Sequence, residues 1–424
     1  MQTFQLGSQH PDIALIQLAL KRANHDPGAL DGIFGPNTQQ ARTDFFNEQA
    51  IPFQEAITDA DWRQLAPFFV GYVRHVMIGG DTIDRIAATY RTAAWRILTA
   101  NPTLDVLHLP IGQEIIVPLD FKLVSAEVPF SSLLLQYTLQ GLQARYPRIS
   151  AASIGKSVLG ADIPVLTFGE GTRAVCFNGS HHANEWLTTP VLLQFLERFA
   201  AAFAREEDFA GFRSHDLYHA ATLHLIPMLN PDGVDLAIGR TDSGPVHEYA
   251  SYLAANYPQI PFPHGWKANA RGVDLNLQYP AGWETAQEIK FEQGFRVPGP
   301  RDYVGKRPLS EPESRVLYQY TLAHDFYLTM SYHSQGKVIY WRYLDYLPEN
   351  SREIGRIFSE VSGYLLEETP FVSGHAGYKD WFIKHFDRPG YTIEIGLGES
   401  PLPLSQFDEI YADNEEMLAI ALVI

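Results

Sequence analysis

The sequence predicts an α/β protein in which one large layered domain follows two small ones. Three observations carry this. The chain has 424 residues, more than one ordinary domain holds, and 46% are hydrophobic, enough to fill a sizeable core. From about residue 120 to 424, strand-like apolar runs alternate with helical patterns, as expected where helices cover both faces of a sheet. Ahead of that, residues 1–69 and 70–119 are patterned differently from each other and from the rest.

In the first segment Ile13, Ile16 and Leu20 recur at helical spacing behind a Pro11–Asp12 start. Asp31–Gly32 marks a turn, and a second helix runs from about Asn37 with Ala41 and Phe45 on one face. A third short helix is expected over 59–65. The stretch "DGIFGPNTQQARTDFF" resembles the small three-helix peptidoglycan-binding domain of cell-wall hydrolases. In 70–119, the β-type ends "YVRHVM" and "QEIIVPL" enclose two helical patterns. Gly80–Asp81–Thr82, Ile86–Ala87, Tyr90, Asn101–Pro102 and Gly112–Gln113 resemble a LysM domain. The resemblance implies a βααβ fold that binds N-acetylglucosamine chains, with Asp81, Thr82 and Asn101 as candidate sugar contacts. Turn chemistry accounts for the glycines in either case.

Composition excludes several functions. The formal net charge is −17, which argues against a general nucleic-acid binder, since that needs a basic face. Cys176 is the single cysteine, so neither an intramolecular disulfide nor a four-thiolate zinc site is possible. It lies in an apolar run and reads as a small core residue. No apolar stretch approaches the roughly 18–20 residues that span a bilayer. The start, "MQTFQLGSQHPD", lacks the charged and apolar regions of a Sec signal.

The large segment carries the chemistry. "GSHHANEW" follows the strand-like "AVCFNG" and precedes the helical "VLLQFLERF". His182 and Glu185 are three apart and so share one face of a first helical turn. An imidazole and a carboxylate make a partial zinc set, although an acid in a first turn is also favoured by the helix dipole. "SYHS" places His333 at the end of the strand "FYLTM", and strand ends are where α/β sheets build sites. His333 as third ligand leaves one zinc position open for water. "WKANARGVDLN" gathers Lys267, Arg271, Asp274 and Asn276, and "GYTIEIG" sets Glu394 among apolar neighbours, a costly placement for an idle carboxylate.

These motifs, in the order H-x-x-E, N-P-D-G, G-V-D-x-N, S-Y-H-S and a glutamate after Asp380–Trp381, resemble the zinc carboxypeptidases over most of 120–424. The resemblance implies a mixed-sheet carboxypeptidase-like fold and one zinc ion on His182, Glu185 and His333. It makes Glu394 the general base and proton shuttle, and Asp274 the partner of the second ring N–H of His182. Arg271 or Lys267 would stabilise the oxyanion, with Arg271 preferred for its two-donor fork. His181 has no role in the family and reads as a neighbouring polar residue.

The departures bear on substrate. In ordinary carboxypeptidases an Asn-Arg pair grips the C-terminal carboxylate, but Leu277 follows Asn276 here. Val372 stands where a tyrosine is expected, and Asn184 replaces the arginine inside H-x-x-E. With "KANARGVDLNLQYPAGW" and "GHAGYKDWFI", the chain looks most like the γ-D-glutamyl-L-diamino acid endopeptidases, which cleave the γ-D-Glu–meso-diaminopimelate bond of peptidoglycan stem peptides. Asn276, Lys267, Arg271 and Tyr378 are candidate substrate contacts. The alternatives are a metallocarboxypeptidase of other specificity and an inactive wall-binding protein. The expected partner is peptidoglycan, and the expected location is the cell wall or a mother-cell or spore compartment. Oligomeric state is not legible.

Overall fold

The computed structural model describes residues 2–424, which divide into two compact units: 2–129 with 133–150, and 130–132 with 151–424. The first unit opens with three helices, α1 (Pro11–Arg22), α2 (Pro36–Glu48) and α3 (Asp59–Val70). Pro11 suits the first position of α1, where its missing N–H is no loss. Ile13, Ile16 and Leu20 are fully buried, as their spacing requires. Gln17, buried among them, donates to Asp31 Oδ1, the Ile33 carbonyl and Thr38 Oγ1, and accepts from Gly32 N. The Asp31–Gly32 turn is thus held from inside. Arg42 is fully buried but pairs with Asp61 and donates to the Glu55 and Ala56 carbonyls. Its charge is therefore compensated, as a buried ion must be.

The expected βααβ unit follows: β1 (Tyr72–Val76), α4 (Ile83–Thr89), α5 (Ala94–Ala100) and β2 (Glu114–Pro118). The strands pair antiparallel from Tyr72↔Pro118 to Val76↔Glu114, over a core of Met77, Ile86, Ile97, Ile115 and Val117. The next helix, α6 (Ser132–Arg145), belongs almost wholly to this first unit, although the sequence assigns 120 onward to the large domain. The reason is local. Buried Arg145 donates to the carbonyls of Gly71, Leu119 and Phe121, and Gly141 lies so close to the Val70 carbonyl that a Cβ would come within 2.2 Å of it.

The second unit is built on one sheet. Its strands are β3 (Ser150–Lys156), β4 (Asp162–Phe168) and β5 (Arg173–Asn178). After a small hairpin, β6 (Asp208–Phe209) with β7 (Phe212–Arg213), come β8 (Ala221–Ile226), β9 (Phe326–Ser334), β10 (Val338–Tyr340), β11 (Leu365–Glu367) and β12 (Gly390–Ile395). The eight-stranded order is β11-β10-β12-β9-β5-β8-β4-β3. β12, β9, β5 and β8 run parallel, while β10 pairs antiparallel with β12 and β4 with β8, so the sheet is mixed as expected. β9 is buried almost end to end, the mark of a central strand covered on both faces. The helices are α7 (Thr188–Arg205), α8 (Ser214–Ala220), α9 (Pro231–Ala237), α10 (Gly244–Ala254), α11 (Trp283–Glu292), α12 (Pro312–Leu322), α13 (Ser351–Ser362), α14 (Tyr378–Phe386) and α15 (Phe407–Val423). None is long and apolar enough to cross a membrane.

Candidate active site

The parallel strands β5, β8, β9 and β12 all end at one edge, and functional side chains gather there. β5 gives way to a turn through Ser180, whose left-handed φ of 50° is fixed by bonds from its N–H to Thr188 Oγ1 and from its side chain to Thr189. Beyond it, residues 183–185 form their own 3₁₀ turn rather than the first turn of α7. Side chains three apart eclipse in that geometry. His182 and Glu185 therefore point the same way, with His182 Nδ1 2.9 Å from Glu185 Oε2. His333, at the end of β9, brings its Nδ1 to 3.0 Å from both His182 Nδ1 and Glu185 Oε2. All three residues are buried.

This trio fits a metal ion. Asp274 Oδ1 lies 3.1 Å from His182 Nε2, which therefore carries the ring proton and leaves Nδ1 as a lone pair. Two imidazole nitrogens and a carboxylate oxygen then face one another, a donor set that suits a metal ion. Ligands at zinc bond lengths of about 2.0–2.2 Å around a tetrahedral centre lie roughly 3.3–3.6 Å apart, close to the spacing here. His333 Nε2 is buried without a partner.

Electrostatics follow the same geometry. Burial opposes charge on Glu185, but His182 and Lys267 outweigh it and hold the carboxyl well below the usual range. Burial likewise opposes charge on Asp274, yet His182 and Lys267 keep its carboxyl low. His333 is depressed, first by burial and then by the charge of His182. Glu394 stands opposite His333 in the parallel β12–β9 register, so both side chains leave the same face of the sheet. Burial, then repulsion from Glu185, pushes its carboxyl up to about 8 in the chain without a cation.

Loops fix the remaining groups. Asn230, which caps α9, donates to the His181 and Ala268 carbonyls at 3.1 Å and so ties the histidine loop to the Lys267 segment. Gly233 is required beside it, since a Cβ would lie 2.5 Å from the Ala268 carbonyl. Asn269 Oδ1 accepts from Arg271 N and Val273 N, and its Nδ2 donates to Glu311 and Glu313. This tight turn sends Arg271 outward: its side chain is 53% exposed and pairs with Glu311 at 3.5 Å. Lys267 Nζ instead lies 2.9 Å from Glu185 Oε1. The preference for Arg271 is therefore corrected in favour of Lys267.

Other expectations change as well. Tyr378 is fully buried and bonds Thr321 Oγ1 at 2.9 Å, so it packs rather than contacting substrate. Asn276 Oδ1 accepts from Tyr378 N at 3.0 Å and braces the start of α14, leaving its amide donors for other use. Leu277 sits in an apolar cluster with Trp283, Val304 and Ala376, where no carboxylate clamp can form. His181 is fully buried and bonded to Tyr279. In the βααβ domain, Asp81 accepts from His75 and Ile78 N, Thr82 caps α4, and Asn101 bonds the backbone of Ile97 and Ile116 with both donors and its oxygen. Asn101 is thereby spent on structure, and Asp81 and Thr82 hold their own turn. A cleft of about 600 Å³ opens beside Glu185, lined by residues that include Asn184, His264, Lys267, Arg301, Ser334, Gln335 and the exposed Glu399. Sequence reading missed Asn230 and Asn269, whose repeated asparagine-turn pattern was a usable signal. It also missed Arg301, a lone arginine in a Pro/Gly-rich loop with no such signal.

The sequence profile of the zinc carboxypeptidase family matches residues 135–417, and that of the LysM domain matches 79–118. Gamma-D-glutamyl-L-diamino acid endopeptidase 1 of Lysinibacillus sphaericus is 39% identical over 298 residues, covering 70% of this chain and 72% of that protein. Among solved structures, thrombin activatable fibrinolysis inhibitor matches with a TM-score of 0.56 at 17% identity, covering 70% of this chain and 78% of that one. Carboxypeptidase A from Helicoverpa armigera matches with a TM-score of 0.53 at 17% identity, covering 92% and 87%.

Two outcomes are expected. Asp274→Ala removes the acceptor that orients His182 and lowers zinc affinity about 10- to 100-fold, read by competition with a chelating dye. Glu313, buried behind Asn269, is pushed up from 4.5 to about 7 by burial. A raised folded pKa means its contribution is complete below about pH 4.5 and is lost as pH rises through 7, by about 3 kcal/mol. Denaturation midpoints of the wild type should fall over that window relative to Glu313→Gln; a constant gap between the two would refute the assignment.

Proposed function

Since the chain belongs to the zinc carboxypeptidase family, we propose that it is a zinc-dependent endopeptidase that hydrolyses the γ-D-glutamyl–meso-diaminopimelate bond of peptidoglycan stem peptides. The observation that carries this reading is the fate of position 277. A carboxypeptidase needs a cation there for a C-terminal carboxylate, and Leu277 is packed into an apolar cluster instead. The positive charges lie in the cleft beside Glu185, at Lys267 and Arg301. The Lysinibacillus relative, by its name, acts on the same type of bond. The LysM match gives the chain a module suited to glycan strands, and tethering raises the local concentration of stem peptides. The wall, or a compartment of a sporulating cell, is the location this substrate favours.

The residues divide the work. His182, Glu185 and His333 would hold the zinc ion, which supplies Lewis-acid chemistry that acidifies water and polarises a carbonyl. Asp274 keeps the Nε2 proton on His182 so that Nδ1 stays a donor. Glu394 accepts a proton from the attacking water and returns it to the leaving amine, a role suited to a half-buried carboxyl set beside His333 in the sheet. Lys267, beside Glu185, places a positive charge where the carbonyl oxygen becomes an anion.

Incubation with L-Ala-γ-D-Glu-meso-diaminopimelyl-D-Ala, in which the scissile bond is internal, should release L-Ala-D-Glu. Release should stop with a chelator and fall at least about 10³-fold in Glu394→Gln with zinc content unchanged. Release of a single C-terminal residue from ordinary peptides, with none from this one, would reject the reading. Lys267→Met should lower kcat about 10²-fold, while Arg271→Met stays within about threefold. The reverse order in steady-state kinetics would restore Arg271 as the oxyanion partner.

A further inference from the structure

The cleft holds a second cation that the hydrolytic machinery does not use. Arg301 lines it together with Lys267, Asn184 and Gln335. Its backbone is pinned on both sides to the loop that carries the other functional groups. The Pro300 carbonyl accepts from Lys267 N at 2.7 Å and from Ala268 N at 2.9 Å, and the Tyr303 carbonyl accepts from Asp274 N at 2.9 Å. Between them, Asp302 N donates to Asp274 Oδ2 at 3.3 Å. Asp302 holds a left-handed φ of 63°, which a non-glycine residue keeps only when its surroundings fix it.

The guanidinium is fixed too. Arg301 Nε donates to Asp302 Oδ2 at 2.5 Å, and Asp302 Oδ1 is held by Lys290 Nζ at 2.6 Å. The side chain is 43% exposed, and its two terminal nitrogens make no hydrogen bond to protein among the described residues. An anchored guanidinium with an open planar fork is a receptor for a carboxylate. Lys267 is the weaker candidate for that ligand, because one of its donors is held by Glu185 and its charge already serves the oxyanion.

On the function proposed above, on which this inference rests, the scissile amide is built on the γ-carboxyl of a D-glutamyl residue. The α-carboxylate of that residue is then free on the acyl side, four bonds from the carbonyl under attack and roughly 5 Å away when extended. The geometry points to Arg301 as the specificity residue that grips this α-carboxylate. An acyl residue without a second carboxyl carries no charge at that place, so the same grip selects a glutamyl acyl residue.

The test compares wild type, Arg301→Gln and Arg301→Lys on three peptides. These are L-Ala-γ-D-Glu-meso-diaminopimelate, the same peptide with the glutamyl α-carboxylate amidated, and the same peptide with the leaving diamino acid's α-carboxylate amidated. Wild type should prefer the free glutamyl carboxylate by roughly 10- to 100-fold in kcat/KM. R301Q should lose that preference while cleaving the glutamyl-amidated peptide within about threefold of wild type, and R301K should keep part of it. Equal losses on all peptides would make Arg301 a prop for the Asp302–Asp274 contact and overturn the proposal. So would an unchanged preference in R301Q, or a lost preference that follows the leaving group's carboxylate. Equal cleavage of the first two peptides by wild type removes this inference and leaves the endopeptidase reading intact. Cleavage of none of them removes both.

Discussion

Everything at the active edge of the second unit depends on one forced encounter. The lone pairs of His182 and His333 and a carboxylate oxygen of Glu185 are brought within about 3 Å of one another away from water. Like poles at that distance repel strongly in a poorly screened interior, so the fold must supply both the force that brings them together and the cation that makes the result stable. The first comes from the backbone. A 3₁₀ turn eclipses His182 with Glu185, and the parallel register of β9 and β12 delivers His333 and Glu394 side by side. The second defines the function, because three buried donors converging on one point form a site built to bind a cation.

A second tier of contacts keeps this encounter from relaxing. Asp274 holds the back of His182, and Asp302 N holds Asp274. Lys267 neutralises the other oxygen of Glu185. Asn230 ties the two loops together through the His181 and Ala268 carbonyls, and Asn269 closes the Lys267 loop on itself while anchoring it to Glu311 and Glu313. Asparagine suits this work, since one amide both donates and accepts and so closes a turn on one side while gripping a second strand of chain on the other. Losing any one of these bonds leaves a buried polar group unmatched, and that penalty is what makes the arrangement a single structure.

The sequence discloses the inner tier far better than the outer. His182, Glu185, His333 and Glu394 are legible because each sits where a local pattern ends: an apolar run into a polar turn, or an acid inside an apolar strand. The α/β layering and the three small helices are legible for the same reason of periodicity, whereas the mixed strand directions are implied only by the family resemblance. Arg271 against Lys267 is not legible, because the two cations lie four residues apart and only the turn closed by Asn269 decides which faces inward. Tyr378 and Asn101 mislead because a polar side chain in a motif is equally good at satisfying backbone groups. The allegiance of α6 is hidden in Arg145, whose guanidinium collects carbonyls far from it in sequence.

Charge gives the last step. A chain with a net charge of −17 repels an acidic wall polymer at long range, where salt also weakens any field beyond about 8–10 Å. Recognition of an anionic stem peptide therefore has to be local, and the cleft is arranged so. Lys267 and Arg301 are each bonded to one buried acid, Glu185 and Asp302, which fixes their positions without covering every donor of the guanidinium. Apolar Leu277 at the old clamp position removes the competing attraction for a chain end. Specificity for an internal bond then arises from where positive charge is withheld as much as from where it is placed.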